Sequence, residues 1–416
     1  VTPVARDWAE SGVMALTGRP DGPPLLPPGH AATLARALGR HLRDLTAGAV
    51  HLDGAAVLAE RAALTGRTRQ GATSVGGACR LLPTADGWAA LSCARPDDPA
   101  LYGALIGTAI DEGDPWPPLA RWLRHHTGAE LAERAELLGL AAAPLPPPHD
   151  DPTQPEPEHL PERGPVDVTG MLVVDFSALW AGPLCAHILG LAGARVVKVE
   201  TPSRLDGARA GNPEFYHLLH AGHRSVVLDP AEAAQREALA ALAARADVVI
   251  EASRPRALAG FGLDAGAITA ADATWVSITA HGRRSCRVGF GDDIAASAGL
   301  VAHDPATGRP VFTGDAIADP LTGLTAAVRA LHAIATGGGR LVEVAMHDVV
   351  AATLTPTAHP APAARPDRNG GWILDTGEGP VPVLPPRRRT PPAGAPAPAP
   401  GRHTGEVLRE LGISPP

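Results

Sequence analysis

The sequence predicts an α/β fold: a doubly wound, mostly parallel, Rossmann-like sheet with a smaller α+β domain placed ahead of it. Three observations predict it. Between residues 165 and 355, short apolar runs alternate with Ala- and Leu-rich stretches of helical character. That order lays parallel strands beneath helices on both faces. Two Pro-rich breaks, 146–164 and 356–400, set this block apart and read as extended, solvated linkers. Within it, Pro230 stands where a helix would start, and Gly337, Gly338 and Gly339 where one would end.

Taken in order, Met171–Phe176 is a short apolar strand and Leu184–Leu191 a helix. Arg195–Val199 and Ser225–Leu228 are the next strands, followed by the Ala-rich helix Ala231–Arg245. Val248–Glu251 and Trp275–Thr279 are further strands, Leu321–Ala335 is a helix, and Leu341–Ala345 closes the series. Ligands on such a sheet gather at the carboxyl ends of the strands. Ahead of the first break, residues 1–64 are expected to be helical, with helices at Ala31–Leu45 and Ala55–Leu64. Residues 65–145 read as the small domain: strands Gly76–Leu82 and Trp88–Ser92 flank the turn Thr84-Ala85-Asp86-Gly87, and Ala129–Leu140 is a closing helix. Residues 401–416 form a last helix returning to the sheet. A weak internal echo pairs Thr17-Gly18-Arg19-Pro20 with Thr307-Gly308-Arg309-Pro310.

Composition narrows the function. The 416 residues carry 36 basic and 44 acidic side chains, net −8, which argues against a nucleic-acid footprint and for a soluble protein. Cys79, Cys93, Cys185 and Cys286 form no CxxC pair, so buried free thiols in a reducing, cytoplasmic setting are expected, without zinc. No basic stretch leads into an apolar run at the start, as a signal peptide would require. Phe176–Ala194 lacks charged residues, but Gly182, Pro183, His187, Gly190 and Gly193 interrupt it; strand, turn and helix fit it better than a membrane span.

Several positions could carry chemistry. Ala181-Gly182-Pro183 links a strand to a helix whose N-terminus offers free N–H groups to phosphate, with Glu200 at the end of the next strand. Neither GxGxxG nor GxxxxGK[ST] is present there, so a nicotinamide fold is disfavoured. Arg224 and Arg254 stand at strand ends, where arginines suit phosphate or carboxylate and where solvated loop charges are equally common. Asp292 and Asp293 form an acidic pair, and Asp315 and Asp319 follow. On the residues alone Asp319 has two roles open to it: a helix N-cap ahead of Pro320, or a nucleophilic carboxylate.

Ordered segments tip that balance. Val173-Val174-Asp175-Phe176-Ser177 with Ala181-Gly182-Pro183-Leu184-Cys185, then Leu191-Ala192-Gly193-Ala194-Arg195 to Glu200, His223 to Asp229, Ala246-Asp247-Val248-Val249-Ile250-Glu251 with Arg254-Pro255, Gly291-Asp292-Asp293-Ile294 and Ala298-Gly299-Leu300 together resemble the family III CoA-transferases, the CaiB/BaiF group. Asp319 with Gly323 falls where that family keeps its catalytic Asp. The resemblance covers roughly residues 165–350 and 400–412. It implies that coenzyme A moves between an acyl-CoA donor and a carboxylic acid acceptor through an aspartyl intermediate. It also implies an interlocked homodimer and no permanently bound cofactor or metal. Ala181, Gly182, Pro183, Glu200, Arg224, Arg254, Asp292 and Asp293 are the positions it offers for binding CoA. The racemase branch carries a His where Asp292 stands, which favours transfer over racemisation. The small domain departs from the family order: Ser74-Val75-Gly76-Gly77 and Thr84-Ala85-Asp86-Gly87-Trp88 resemble its motifs, but ahead of the sheet rather than after Val350. Gly76 and Gly77 would then cover the site. An α-methylacyl-CoA racemase and a degenerate, non-catalytic CoA-binding protein stand as rivals.

Overall fold

The computed structural model describes residues 2–111, 113–147, 163–252, 255–354, 363–391 and 396–415. Most of the first Pro-rich break and Arg254 lie outside them.

A three-stranded antiparallel sheet, β1 (Cys79–Pro83), β2 (Trp88–Ser92) and β3 (Ala142–Pro144), forms the small domain's centre. The tight turn at residues 84–87 closes by Thr84 N–H donating to Gly87 O, and Asp86 ties it to the helix Gly128–Leu138 by accepting from Gly128 N. That helix opens with a capping box between Thr127 and Glu130. Leu91, Tyr102, Leu105, Leu119, Leu123 and Leu131 fill the core beneath the sheet. Its other face, through Leu81 and Ala90, packs on Ala296, Val301 and Phe312 of the large domain.

The large domain is a six-stranded, wholly parallel sheet: β4 (Leu172–Asp175), β5 (Arg195–Glu200), β6 (Arg224–Val227), β7 (Val248–Glu251), β8 (Thr274–Thr279) and, after the hairpin β9 (Val301–His303) and β10 (Pro310–Phe312), β11 (Leu341–Ala345). The order is β11-β8-β7-β4-β5-β6. The chain winds outward from β4 in one direction and from β7 in the other, so the switch between them opens a crevice at their carboxyl ends. Because both faces are covered, the strands are continuous apolar runs. Val173, Val196, Val248, Ile250 and Val276 meet the helices Ala181–Leu191 and Ala318–Ala335 on one face; Val174, Val197, Val226, Val249 and Trp275 meet Ala233–Ala243 and Thr404–Glu410 on the other.

Gly323 brings the two inner helices together. A side-chain carbon there would lie 2.7 Å from Ala181 O and 3.0 Å from Leu184 Cβ. The helix Ala31–Leu45 joins the same core through Ala35, Leu38, Leu42 and Leu45, so the start of the chain is packed against the large domain. The helix expected at Ala55–Leu64 is two short pieces, Gly54–Val57 and Glu60–Thr65.

The second Pro-rich break also differs from the solvated linker expected. It holds a small antiparallel sheet, β12 (Arg365–Pro366), β13 (Trp372–Thr376) and β14 (Gly379–Pro382), whose Leu374 and Val381 pack on Ala5, Ala9 and Met14. Beyond it, Pro386 lies so close to Gly12 that a side chain at 12 would touch its Cα at 2.8 Å. Three consecutive arginines then fasten separate segments: Arg387 to Asp53, Arg388 to Glu214, and Arg389 to Glu60. Proline content does not make a chain solvated when apolar and ionic partners are in reach. Among the cysteines, Cys286 is exposed rather than buried. No helix among the described residues is long and apolar enough to cross a membrane; Phe176–Ala194 comprises the exit from β4, a loop and the helix Ala181–Leu191 with its exit.

Candidate active site

The helix Ala318–Ala335 starts one residue before Asp319, with Ile317 at its N-cap position. Asp319 is therefore inside the first turn and does not cap its own helix, contrary to one of the two roles open in the sequence. Its carboxylate is free to point elsewhere. It lies against Gly291, the first residue of the helix Gly291–Ala298, whose backbone N–H favours its charged form. Gly291 is small of necessity: a methyl group there would fall on Asp319 Oδ2 and lie 2.5 Å from Ala316 O.

The turn that delivers Asp319 is conformationally costly. Gly314 has φ +68° and Ala316 φ +47°, the latter in a region that costs a non-glycine residue about 1–2 kcal/mol. Two contacts hold it: Ala316 N–H donates to Asp292 Oδ1 at 2.8 Å, and Gly314 N–H to Thr17 Oγ1 at 3.2 Å. Asp315, 1 % exposed, receives both arms of Arg61, Nε to Oδ2 at 2.9 Å and Nη2 to Oδ1 at 2.5 Å. Arg61 comes from the helix Glu60–Thr65 and lies over the ring of Trp180, 5.1 Å from its centroid.

Asp292, Asp315 and Asp319 thus converge on one guanidinium. Burial pushes the Asp319 carboxyl up to about 7; Arg61 pulls against this, and Asp292 and Asp315 add to it. Burial and Asp315 raise Asp292 to about 6, against Arg61, Ala316 N–H and the Ser74 hydroxyl. Both residues are half-buried. The arrangement offers a carboxylate that titrates near neutrality, a backbone donor aimed at it, and a fixed cation: the requirements of a covalent carboxylate nucleophile.

Of the other positions singled out in the sequence, the structure brings some here and not others. Ala181, Gly182 and Pro183 begin the buried helix Ala181–Leu191, and Ala181 abuts Gly323, one turn beyond Asp319. Gly182 is required because a side chain would collide with Ser177. Gly76 and Gly77 lie in a turn closed by Gly77 N–H to Ser74 O at 2.8 Å. A side-chain carbon on Gly76 would be 3.5 Å from Arg61 Nη2 and 4.0 Å from Asp315 Oδ1, so this glycine turn stands at the carboxylate cluster. Asp293 turns away: it accepts from Ser92 Oγ at 2.6 Å and Phe290 N at 3.0 Å, and burial pushes it up to about 8. It joins the small domain to the large one.

Glu200 is occupied by a bidentate pair with Arg209, at 2.9 and 2.6 Å, and by Asp206 N–H. That pair fixes the loop whose Asp206 accepts from Leu179 N–H at 3.0 Å, beside Trp180. Arg224, on the edge strand β6, is ion-paired to Glu406 and Glu410 of the outer helix, away from Asp319. Sequence reasoning missed Arg61 and the Ser74 hydroxyl. Arg61 had no local signal, because its partner Asp315 is 254 residues away.

Residues 168–373 match the family model described as CoA-transferase family III. That stretch, just under half of the chain, is similar to this family. Similar to this chain are the succinate–glutarate CoA-transferase of Agrobacterium fabrum, 30% identical over 47% of this chain and 54% of that protein, and a probable fatty acyl-CoA transferase of Mycobacterium tuberculosis, 30% identical over 49% and 60%. A formyl-CoA:oxalate CoA-transferase of Rhodopseudomonas palustris is 28% identical over 44% and 47%. The chain spans about half the length of the curated relatives it matches. A crystal structure of a CaiB/BaiF family protein from Brucella suis aligns at 26% identity with a TM-score of 0.44, over 51% of this chain and 64% of that one.

Proposed function

We propose that this chain transfers coenzyme A between an acyl-CoA and a carboxylic acid, with Asp319 as the covalent carboxylate. The observation that carries the reading is an aspartate in a helix's first turn that does not cap that helix and instead faces the Gly291 N–H and a fixed arginine. The family match supports the reaction class.

An oxygen of ionised Asp319 attacks the thioester carbonyl. The acyl carbon–sulfur bond breaks and CoA leaves as thiolate, giving a mixed anhydride. The thiolate then attacks the aspartyl carbonyl, expelling the donor acid and leaving an aspartyl–CoA thioester. The acceptor carboxylate attacks that thioester and expels the thiolate, which attacks the acceptor's acyl carbon and restores Asp319. Splitting the transfer this way conserves thioester energy. The Gly291 N–H is in position to steady negative charge on the aspartyl oxygen during these exchanges. Ala181-Gly182-Pro183 and the Gly76-Gly77 turn would flank the incoming thioester.

Intact-mass spectrometry after incubation with a panel of acyl-CoAs tests this. A covalent acyl or CoA adduct is expected on the wild type and none on Asp319→Asn. Full transfer activity in Asp319→Asn would refute the mechanism. Deuterium wash-in at the α-carbon without an acceptor acid would point to racemisation instead.

A further inference from the structure

We propose that Arg61 is a positioning residue for Asp319, a cation brought from the N-terminal helical segment to keep that carboxylate ionised and aimed. The proposal rests on Asp319 being the covalent group.

The geometry argues for a designed placement. Both arms of the guanidinium are engaged by Asp315, and its face lies on Trp180, itself 1 % exposed and held edge-to-face by Phe215 with ring centroids 5.1 Å apart. A planar fork fixed on a carboxylate and stacked on an aromatic ring cannot swing as a lysine would. The backbone is anchored as well, since the preceding residue, Glu60, is 0 % exposed and held by both arms of Arg389.

The charged groups around Asp319 can be counted by element. The helix Gly291–Ala298 presents Asp292, and the turn before the helix Ala318–Ala335 presents Asp315. The entry to the helix Ala181–Leu191 presents Trp180, without charge. The helix Glu60–Thr65 presents Arg61, with Arg67 beyond it donating to Gly76 O at 2.5 Å. Three carboxylates face one guanidinium. Without it they would hold protons against one another in a partly dry crevice, and a protonated Asp319 cannot attack a thioester.

The test compares Arg61→Gln, which keeps donors but loses the charge, with Arg61→Lys, which keeps the charge but loses the fork. Two readouts are followed across pH: single-turnover formation of the covalent adduct, and NMR titration of a 13C-labelled Asp319 carboxyl. In Arg61→Gln the acid limb of the rate profile and the carboxyl titration are expected to move to higher pH by about one unit or more. That lowers the rate at pH 7 about fivefold or more, with recovery at alkaline pH. Arg61→Lys is expected to keep the limb near its wild-type place at a lower plateau. An unmoved limb and titration in Arg61→Gln, or a loss equal at every pH, would overturn the proposal. So would Arg61→Lys shifting the limb by a full unit, a reading that stands even if Arg61→Gln does not fold. If the wild type forms no adduct, the covalent reading fails, and the NMR titration still decides whether Arg61 sets the ionisation.

Discussion

Removing Arg389 should destabilise the protein far more than removing its neighbour Arg388. Glu60 is fully buried, and Arg389 meets its two oxygens at 2.7 and 2.8 Å, with only 18% of the Arg389 side chain exposed. Arg389→Ala leaves that carboxylate buried and unpaired, which costs about 3–5 kcal/mol. Arg388 and Glu214 are both mostly exposed, so Arg388→Ala should cost about 0.5 kcal/mol or less. Replacing both members of the buried pair, as in Glu60→Leu with Arg389→Met, should recover most of the loss, because no charge is then left unpaired. Equilibrium urea unfolding followed by tryptophan fluorescence and far-ultraviolet circular dichroism measures all four proteins. A cost for Arg389→Ala under about 1 kcal/mol, or equal to that of Arg388→Ala, would refute the reasoning. It would mean that Glu60 reaches water and that the segment is laid loosely over the surface.

Two further outcomes are expected. Gly291→Ala places a methyl group against Asp319 Oδ2; a displacement of the aspartate by about 1 Å should slow adduct formation about 100-fold, measured by time-resolved intact mass, while circular dichroism stays unchanged. Asp293, pushed up to about 8 by burial, binds its proton more tightly folded than unfolded. Its contribution is therefore whole below about pH 4 and is lost as pH rises towards about 8, at about 1.4 kcal/mol per pH unit. Between pH 5 and pH 7 the wild type should lose about 3 kcal/mol relative to Asp293→Asn in urea unfolding, and parallel curves would contradict this.

The sheet was readable in the sequence because its parallel strands leave short runs rich in Val and Ile, buried on both faces at the centre. Val248–Glu251 and Leu341–Ala345 match their expected bounds, and the other four strands differ by a residue or two at their ends. Short helices such as Pro213–His220 and Gly291–Ala298 were not readable, since their apolar periodicity is brief. The carboxylates of the site were visible as residues but not as a cluster. Asp315 and Asp319 lie in one turn, whereas Asp292 reaches them through the Ala316 N–H and Arg61 through Asp315. Contacts across hundreds of residues leave no local pattern. The Pro-rich run misled for a related reason: its partners Gly12, Glu60 and Glu214 are far away in the chain, and composition alone cannot show them.

The pairing of Arg389 with Glu60 spans 329 residues, and this sets an order of events during synthesis. The helix Glu60–Thr65 leaves the ribosome long before the partner of its buried carboxylate does. Until then Glu60 must stay in water, and Arg61 beside it has no fixed base from which to reach Asp315. A nascent chain stopped short of residue 389 would hold all six strands of the sheet and an unfinished site. Completion of the Arg61 anchor is thereby deferred until residue 389 has been made.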